Sequence, residues 1–499
     1  MSYKLELSGL QRDGEVSLTQ QLVDRFATAV DRGELQPGEK LPPTRDLASE
    51  VGINHLTAAR VYRKLAELGY VTARVGRGTF VRSLAPAGSD EFGDDWQVYA
   101  LPDREVSYNE QVLADAFSAG GEPGMISMAT GWPAPGTYPT EQLAAIAGEV
   151  FAEEGDATLS YLPAEGLYAL REQIARRGRR LGYAQAAEEI VVTSGAQQGL
   201  RLAAQTVLEP GDVALIESPS FIGMLGAVRA TGARMIGVPV DEEGLDVESL
   251  EGLLARHEVK LVALQPACQN PTGRDLSPER TRRLAELAVE RNFFLLEDQV
   301  YADTRIEGER PPGLRELAPA HVIHVNSLSK VVGPGLRVGW VAARGPVLER
   351  IAMSKLLSDF HTPTLTQHMA ARWLAADCHD RHVKKTLPFY RERRDALMDA
   401  LDRHLEGEQR AGVPVGGHHV WVPLNRPLDE RALYSEAGRH GVSFTPGGAV
   451  TAERRSQTAF RLSFSLLDPA ELDEGVRRLA RAIREVRRRA RHSVAAPMS

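Results

Sequence analysis

Residues 324–340 read HVNSLSKVVGPGLRVGW, and this stretch decides the fold of the larger part of the chain. The aliphatic run that leads into it is typical of a buried strand, and two serines, Lys330 and Arg337 follow directly. Similar short runs occur upstream as EEIVVTSG, DVALIES, VKLVALQP and NFFLLEDQV, and helical stretches such as SPERTRRLAELAVERN separate them. This alternation predicts an α/β domain with a mainly parallel sheet and helices on both faces.

Polar residues follow these predicted strands at the point where each strand ends. In open α/β sheets ligands bind at the carboxyl ends of the strands, so we expect these residues to share one site. They are Ser194 to Gln197, Phe221, Asn270, Asp298 with Tyr301, and Ser327 to Lys330.

The residue types in this set match the needs of pyridoxal 5'-phosphate. That cofactor requires an amine for its aldehyde, a carboxylate for its ring nitrogen, and donors for its ring oxygen. Lys330 can form the Schiff base, and Asp298 can keep the pyridine nitrogen protonated. Asn270 and Tyr301 can donate to the phenolate oxygen, which lowers the pKa of the imine, and Phe221 can stack on the ring.

A phosphate site is predicted where the segment SGAQQGL opens a helix. The free amides at Ala196 and Gln197 and the positive end of the helix dipole suit a dianion. Ser327, Ser329 and Arg337 can add a charge-assisted set of hydrogen bonds. Each of these residues alone has ordinary structural explanations, but the parts are mutually consistent with one cofactor site, and no metal site is expected.

Residues 124 to about 490 resemble the fold type I aminotransferases. The motifs that carry the resemblance are GWPAPGTYP, YLPAEGLYALRE, SGAQQGL, QNPTG, EDQVY, SLSK with its downstream arginine, and FRLSFS. The resemblance implies a smaller C-terminal lobe and the same cofactor roles for the residues above. It adds Arg461 as a partner for the α-carboxylate of an amino acid. It also implies that Tyr161 reaches the phosphate of a neighbouring subunit in a homodimer.

The first eighty residues have a different pattern. A helical stripe over 17–35 is followed by a short helix that Thr44 can cap and Gly52 ends, and then by a helix that Asn54 can cap and Gly69 ends. Two short helices with a tight turn suggest helix-turn-helix, and YVTARVGRGTFV reads as a hairpin, or wing. On periodicity alone, a small helical docking domain explains the pattern equally well.

The stretch LPPTRDLASEVGINHLTAARVYRKLAELGYVTARVGRGTFV resembles the winged helix of the GntR family. The resemblance implies that base reading begins at the start of the third helix and that the wing contacts double-stranded DNA. The residues that it places toward DNA are Arg45, Asn54, His55, Thr57, Arg77 and Gly78. His55 stands where arginine is common in the family, and a neutral imidazole binds phosphate or guanine less strongly than a guanidinium fork.

Charge and composition agree with this division. The 499-residue chain carries a net charge of -8, yet residues 41–82 hold seven basic against three acidic residues, so the sign is locally reversed. No run of eighteen apolar residues and no secretory signal occurs, so we expect a cytoplasmic protein without membrane contact. Cys268 and Cys378 form neither a metal-spacing motif nor a disulfide framework and are expected to be reduced thiols.

The whole chain resembles the MocR subfamily of GntR regulators, with a winged helix at 1–82, a linker at 83–123 and an aminotransferase-like domain at 124–499. The resemblance implies a transcriptional regulator in which an amino acid or amine effector displaces Lys330 from the cofactor by Schiff-base exchange. Two other functions are compatible with the sequence: a working aminotransferase with a tethered DNA reader, and a sensor of the cofactor itself.

The basic run VRRLARAIREVRRRARH near the C-terminus resembles a second nucleic-acid site in composition only. Val476, Leu479, Ile483 and Val486 recur at helical spacing, which predicts a last amphipathic helix with a solvated basic face. The run is therefore interpreted as part of the aminotransferase-like domain.

Overall fold

The computed structural model describes residues 16–32, 34–36, 38–74, 78–81, 108–119, 123–183, 185–409, 411–452 and 458–495. The chain divides into two compact units between residues 105 and 106. No helix within these described ranges is long and apolar enough to cross a membrane.

The first unit contains three helices and a hairpin: α1 (Leu18–Asp31), α2 (Thr44–Val51), α3 (His55–Glu67), β1 (Val71–Arg74) and β2 (Gly78–Val81), with β1 and β2 antiparallel. The Asn54 side chain caps α3 by accepting a hydrogen bond from the Leu56 amide at 2.9 Å, as predicted. The predicted Thr44 cap is wrong by one residue. Pro43 occupies the cap position of α2 and offers no side-chain acceptor, and Thr44 is the first helical residue.

The second unit is built on an eight-stranded sheet in the order β4-β11-β10-β9-β8-β5-β6-β7. The strands are β4 (Ile190–Thr193), β5 (Val213–Ser218), β6 (Arg234–Asp241), β7 (Gly244–Leu245), β8 (Val259–Leu264), β9 (Phe294–Asp298), β10 (Val322–Ser327) and β11 (Gly339–Ala342). All neighbouring pairs from β6 to β10 are parallel, while β7 and β11 run antiparallel to their neighbours. The predicted mainly parallel sheet is confirmed.

Helices cover this sheet, and further short strands build a smaller lobe. The helices are α4 (Tyr108–Ala119), α5 (Thr140–Glu154), α6 (Tyr168–Arg180), α7 (Ala196–Val207), α8 (Ile222–Arg229), α9 (Val247–Leu254), α10 (Pro278–Arg291), α11 (Leu314–Leu317), α12 (Pro346–Asp359), α13 (Thr364–Ala375), α14 (Cys378–His404), α15 (Glu430–Arg439) and α16 (Pro469–Ala495). The remaining strands are β3 (Ile126–Ser127), β12 (His419–Pro423), β13 (Val442–Ser443), β14 (Thr445–Pro446) and β15 (Ala459–Ser463).

The smaller lobe packs helices α14, α15 and α16 around the three-stranded sheet β12-β15-β14. Helix α16 contains the basic run, and its apolar positions Val476, Leu479, Ile483 and Val486 are buried in this lobe. The prediction of a last amphipathic helix is confirmed.

Helix α4 lies inside the segment that the sequence assigned to the linker. Val112 and Ala116 are buried, and Val112 packs against Ile222, Ala449 and Val450 of the second unit. The Tyr108 hydroxyl also donates to Glu430 Oε1 at 3.3 Å. The second unit therefore begins before residue 123, where the sequence placed the end of the linker. Val112 and Ala116 are four residues apart and lie on one face of the helix, which is enough to dock it although the segment is mostly polar.

Candidate cofactor site and DNA-binding surface

The carboxyl ends of β4, β8, β9 and β10 lie at the same edge of the sheet and carry predicted cofactor residues. Register brings Thr193, Gly339 and Ser327 into line across three neighbouring strands. Asp298 pairs with Val325 of the adjacent strand. Residues separated by more than one hundred positions in sequence therefore meet at one edge of the sheet.

Lys330 lies beyond β10 with its ammonium inside this edge. Its Nζ donates a hydrogen bond to the Gly131 carbonyl at 3.1 Å and lies 5.2 Å from the centre of the Tyr301 ring. A half-buried amine with an aromatic neighbour is accessible to a small aldehyde and shielded from bulk water.

Asp298 is a fully buried carboxylate at the end of β9. Gln265 Nε2 donates to its Oδ2 at 2.8 Å, and the Val300 amide donates to its Oδ1 at 3.2 Å. Burial raises the pKa of Asp298 to about 6 in spite of these donors and the charge of Lys330. A buried carboxylate held in this way is suited to pair with a protonated ring nitrogen.

Arg461 is a buried guanidinium on the central strand β15 of the smaller lobe. Its Nη1 donates to Asn270 Oδ1 at 3.1 Å, and its Nη2 donates to Thr445 Oγ1 at 2.9 Å and to the Ala129 carbonyl. Burial lowers the pKa of Arg461 to about 10. Within the described part of the chain no carboxylate forms an ion pair with it, so the site can take an external anion.

The residues predicted to bind the phosphate lie around Gly195, directly before α7. Gly195 has φ of 92°, and a Cβ atom at this position would lie 2.8 Å from Arg337 Nη2. The same Nη2 donates to the Ser194 carbonyl at 2.6 Å, and the hydroxyls of Ser327 and Ser329 lie 2.8 Å apart. A helix N-terminus, a guanidinium and two hydroxyls meet here, which is the donor set of a phosphate dianion.

Gln197 and Phe221 lie beside the phosphate site. Gln197 Nε2 donates to the Gly223 carbonyl at 3.0 Å, which joins the first turn of α7 to α8. A Cβ at Gly223 would lie 2.5 Å from Phe221 Cε1, so the Phe221 ring can take this position only because residue 223 has no side chain. These observations fit the ring and phosphate of pyridoxal 5'-phosphate at one edge of the sheet.

Tyr301 and two histidines form a buried cluster that the sequence analysis missed. The Tyr301 hydroxyl lies 3.0 Å from His419 Nε2, and its ring meets both His418 and His419 edge-on at 5.5 Å between ring centres. Gln265, which bridges Asp298 and the Asn270 amide, was also missed. The consecutive histidines in GGHHVW, before a strand, were the available signal.

Tyr161 of the same chain does not lie in this cluster. Its side chain is 84% exposed, and its ring packs edge-on against Phe360 and His361. Leu159 and Leu357 are also strongly exposed in the same two chain segments, at 80% and 82%.

The predicted DNA-contacting residues lie at the surface of the first unit. Arg45, Asn54 and His55 are exposed at the starts of α2 and α3, and Thr57 is half-buried. Gly78 opens β2 with φ of 116°, and a Cβ there would meet Lys40 Cε at 2.8 Å. Arg77 lies outside the described residues.

Comparison with known proteins accounts for both units. Residues 126–479 match the family model "Aminotransferase class I and II", and residues 18–81 match "Bacterial regulatory proteins, gntR family". The chain is 37% identical over 368 residues to the 2-aminoadipate transaminase of Thermus thermophilus, which covers 72% of this chain and 91% of that protein. It is 30% identical over 469 residues to the HTH-type transcriptional regulator YdcR of Escherichia coli, which covers 93% of this chain and 99% of that regulator.

Among solved structures, the second unit is similar to LysN, the α-aminoadipate aminotransferase from Thermus thermophilus, complexed with N-(5'-phosphopyridoxyl)-L-leucine. The TM-score is 0.72 at 33% identity, and the match covers 79% of this chain and 99% of LysN. Fold, site and comparisons define a regulator with a gntR-type DNA-binding domain fused to an aminotransferase domain whose cofactor is pyridoxal 5'-phosphate. The chain belongs to the aminotransferase class I and II family and, within the GntR regulators, to the MocR subfamily.

Proposed function

We propose that this chain controls transcription by binding operator DNA through its winged helix, and that an amino compound regulates this binding at Lys330. The observation that carries the proposal is that one site holds both a half-buried amine, Lys330, and a buried guanidinium, Arg461, which no carboxylate of the described residues neutralises. An α-amino acid offers one group to each of them.

The cofactor, when bound, supplies an aldehyde that forms an exchangeable Schiff base with amines. Each protein group then has one task. Lys330 would hold the aldehyde and could yield it to a competing amine, Asp298 would bind the ring nitrogen, and Asn270 and Tyr301 would donate to the ring oxygen. The phosphate would be held by the amides of Ala196 and Gln197 and by Ser327, Ser329 and Arg337, and Phe221 would stack on the ring.

Arg461 supports a link between effector binding and conformation. It belongs to β15 of the smaller lobe, yet it donates to Asn270, which follows β8 of the main sheet. A carboxylate that binds Arg461 competes for the same donors, so it changes a contact between the two lobes. A ligand that binds one arrangement better than another shifts the population toward it.

Exposed Tyr161 supports a homodimer in which each site is completed by the partner. Leu159, Leu357 and Phe360 leave apolar surface exposed in the neighbouring segments, which a second copy would cover. Two winged helices would then meet two half-sites of one operator.

A DNA shift assay with the fragment upstream of the gene for this chain tests the regulator function. We expect a specific shift by the holoprotein, a change in that shift when an effective amino acid is added, and no such change in the Lys330→Ala variant. Equal shifts for operator and unrelated DNA would contradict the proposal.

A second candidate function is aminotransferase activity, favoured by the 37% identity to a transaminase and by the complete set of predicted cofactor residues. Steady formation of keto acid from an amino-acid panel would support it, whereas spectral change without turnover would support sensing. A shift that responds to pyridoxal 5'-phosphate alone would make the cofactor itself the effector.

A further inference from the structure

Two consecutive histidines, His418 and His419, are fully buried beside the predicted cofactor site. Burial lowers the pKa of His418 to about 3, and the charge of Lys330 acts in the same direction. Burial also holds the pKa of His419 well below its usual range, with further contributions from Arg461, His418 and Lys330. Both imidazoles are therefore neutral at physiological pH, and each carries a single ring proton.

The position of the His419 ring is fixed by its surroundings. A Cβ atom at Gly131 would lie 1.9 Å from His419 Cε1, so the ring fills space that residue 131 leaves open. His419 belongs to β12, where it pairs with Ser463 of β15. Its Nε2 meets the Tyr301 hydroxyl at 3.0 Å.

The direction of this hydrogen bond follows from the other ring nitrogen. His419 Nδ1 is buried without a hydrogen-bond partner among the described residues. If Tyr301 donated to Nε2, the ring proton would lie on Nδ1 as a buried, unsatisfied donor. Placing the proton on Nε2 instead gives it an acceptor in the Tyr301 oxygen and leaves only a lone pair unpaired at Nδ1, and buried donors are left unpaired more rarely than buried acceptors. The proton therefore belongs on Nε2.

We propose that His419 is a positioning residue for Tyr301: its Nε2–H donates to the phenolic oxygen and directs the hydroxyl proton of Tyr301 toward the ring oxygen of the cofactor. The inference rests on the proposed cofactor site at Lys330. A hydroxyl that accepts one hydrogen bond becomes a better donor for the next. His419 thus strengthens the contact through which Tyr301 lowers the pKa of the imine.

Charged and polar groups from several elements face His419 and Tyr301. Lys330 lies over the Tyr301 ring, Arg461 and His418 act on His419 through their charge or dipole, and Cys268 packs against Tyr301. His418 Nδ1 and Lys330 Nζ share the Gly131 carbonyl, at 3.2 and 3.1 Å. Changes at His418 would disturb Lys330 directly, so the test is confined to His419 and Tyr301.

The experiment titrates the visible Schiff-base absorbance of the full-length chain, loaded with pyridoxal 5'-phosphate, against pH. We compare the native chain with His419→Phe, which keeps a ring of similar shape, and His419→Gln, which keeps an N–H donor. We expect the imine pKa to rise by about 1 in His419→Phe and to return most of the way in His419→Gln. In a Tyr301→Phe background, His419→Phe should add no further rise.

An unchanged imine pKa in His419→Phe, or an equal rise with and without the Tyr301 hydroxyl, would overturn the positioning role while leaving the proposed function intact. A native chain that forms no Schiff base with the cofactor would overturn both. If His419→Phe fails to fold, His419→Met carries the same comparison, because a thioether offers no N–H.

Discussion

Gln265 donates a hydrogen bond to Asp298, with 2.8 Å between Nε2 and Oδ2, and its own Oε1 accepts from the Asn270 amide at 2.9 Å. One amide side chain therefore orients two groups that the cofactor would use, one at the ring nitrogen and one at the ring oxygen. Among the described residues Asp298 is in no ion pair, so its charged form is costly to bury until a protonated ring nitrogen binds.

The Asp298→Asn variant should separate stability from cofactor binding. The pKa of Asp298 is raised to about 6 by burial, so its protonated form stabilises the fold below the pKa of a free aspartate, and this contribution is lost as the pH rises through about 6. At neutral pH the cofactor-free variant should be more stable than the native chain by up to about 3 kcal/mol.

Thermal melts of the two cofactor-free proteins measure this difference across pH. The gap should close below the pKa of a free aspartate, and the variant should bind pyridoxal 5'-phosphate more weakly. A native chain that is the more stable of the two at neutral pH would contradict the assignment of Asp298 as a buried acid whose charge is unpaired without the cofactor.

Arg461→Met should remove recognition of the carboxylate and spare the cofactor. A hydrogen-bonded ion pair with a bound carboxylate is worth enough that its loss should weaken amino-acid binding about 10- to 100-fold. Spectral titration of the loaded protein measures the affinity. An amine that lacks a carboxylate serves as the matched ligand and should bind both proteins equally; equal weakening for both ligands would show a general defect instead.

Arg45→Ala should weaken DNA binding for operator and unrelated DNA alike if Arg45 contacts phosphate. One lost phosphate contact should reduce the slope of log affinity against log salt by about 1. Binding isotherms over a salt series measure that slope. Arg256→Ala removes an exposed arginine from the second unit and is the charge-matched control. A selective loss for operator DNA would assign Arg45 to base reading instead.

Leu357→Glu should dissociate the proposed homodimer. Leu357 is 82% exposed in the same stretch as Phe360, and a buried glutamate at a subunit contact would lack a partner. Sedimentation should report a species of one chain mass for this variant and twice that mass for the native protein. Val413→Glu changes an exposed valine elsewhere and should remain dimeric; dissociation of both variants would point to unfolding.

The fold and much of the site were predictable because parallel strands place their carboxyl ends together. Asp298, Tyr301, Ser327 and Lys330 all directly follow aliphatic runs, so their proximity required only the strand order. The helical stripe of α16 was equally clear, since apolar spacing persists through a highly charged segment.

The residues that were missed depend on contacts that local patterns do not encode. His419 reaches Tyr301 from another sheet of the chain, 118 positions away, and Gln265 acts through the orientation of an amide. Helix α4 was concealed because only Val112 and Ala116 of its described side chains are buried. Such relationships are set by tertiary packing, after the strands and helices have formed.

Position 131 tolerates few residues other than glycine. Its carbonyl accepts hydrogen bonds from both Lys330 and His418, and the His419 imidazole fills the space where its side chain would lie. A methyl group added at residue 131 would lie 1.9 Å from His419 Cε1, so the imidazole would have to move. Alanine, the mildest replacement that a codon change can make, would thus displace His419 beside the carbonyl that Lys330 and His418 share, and we expect purifying selection to keep glycine at position 131.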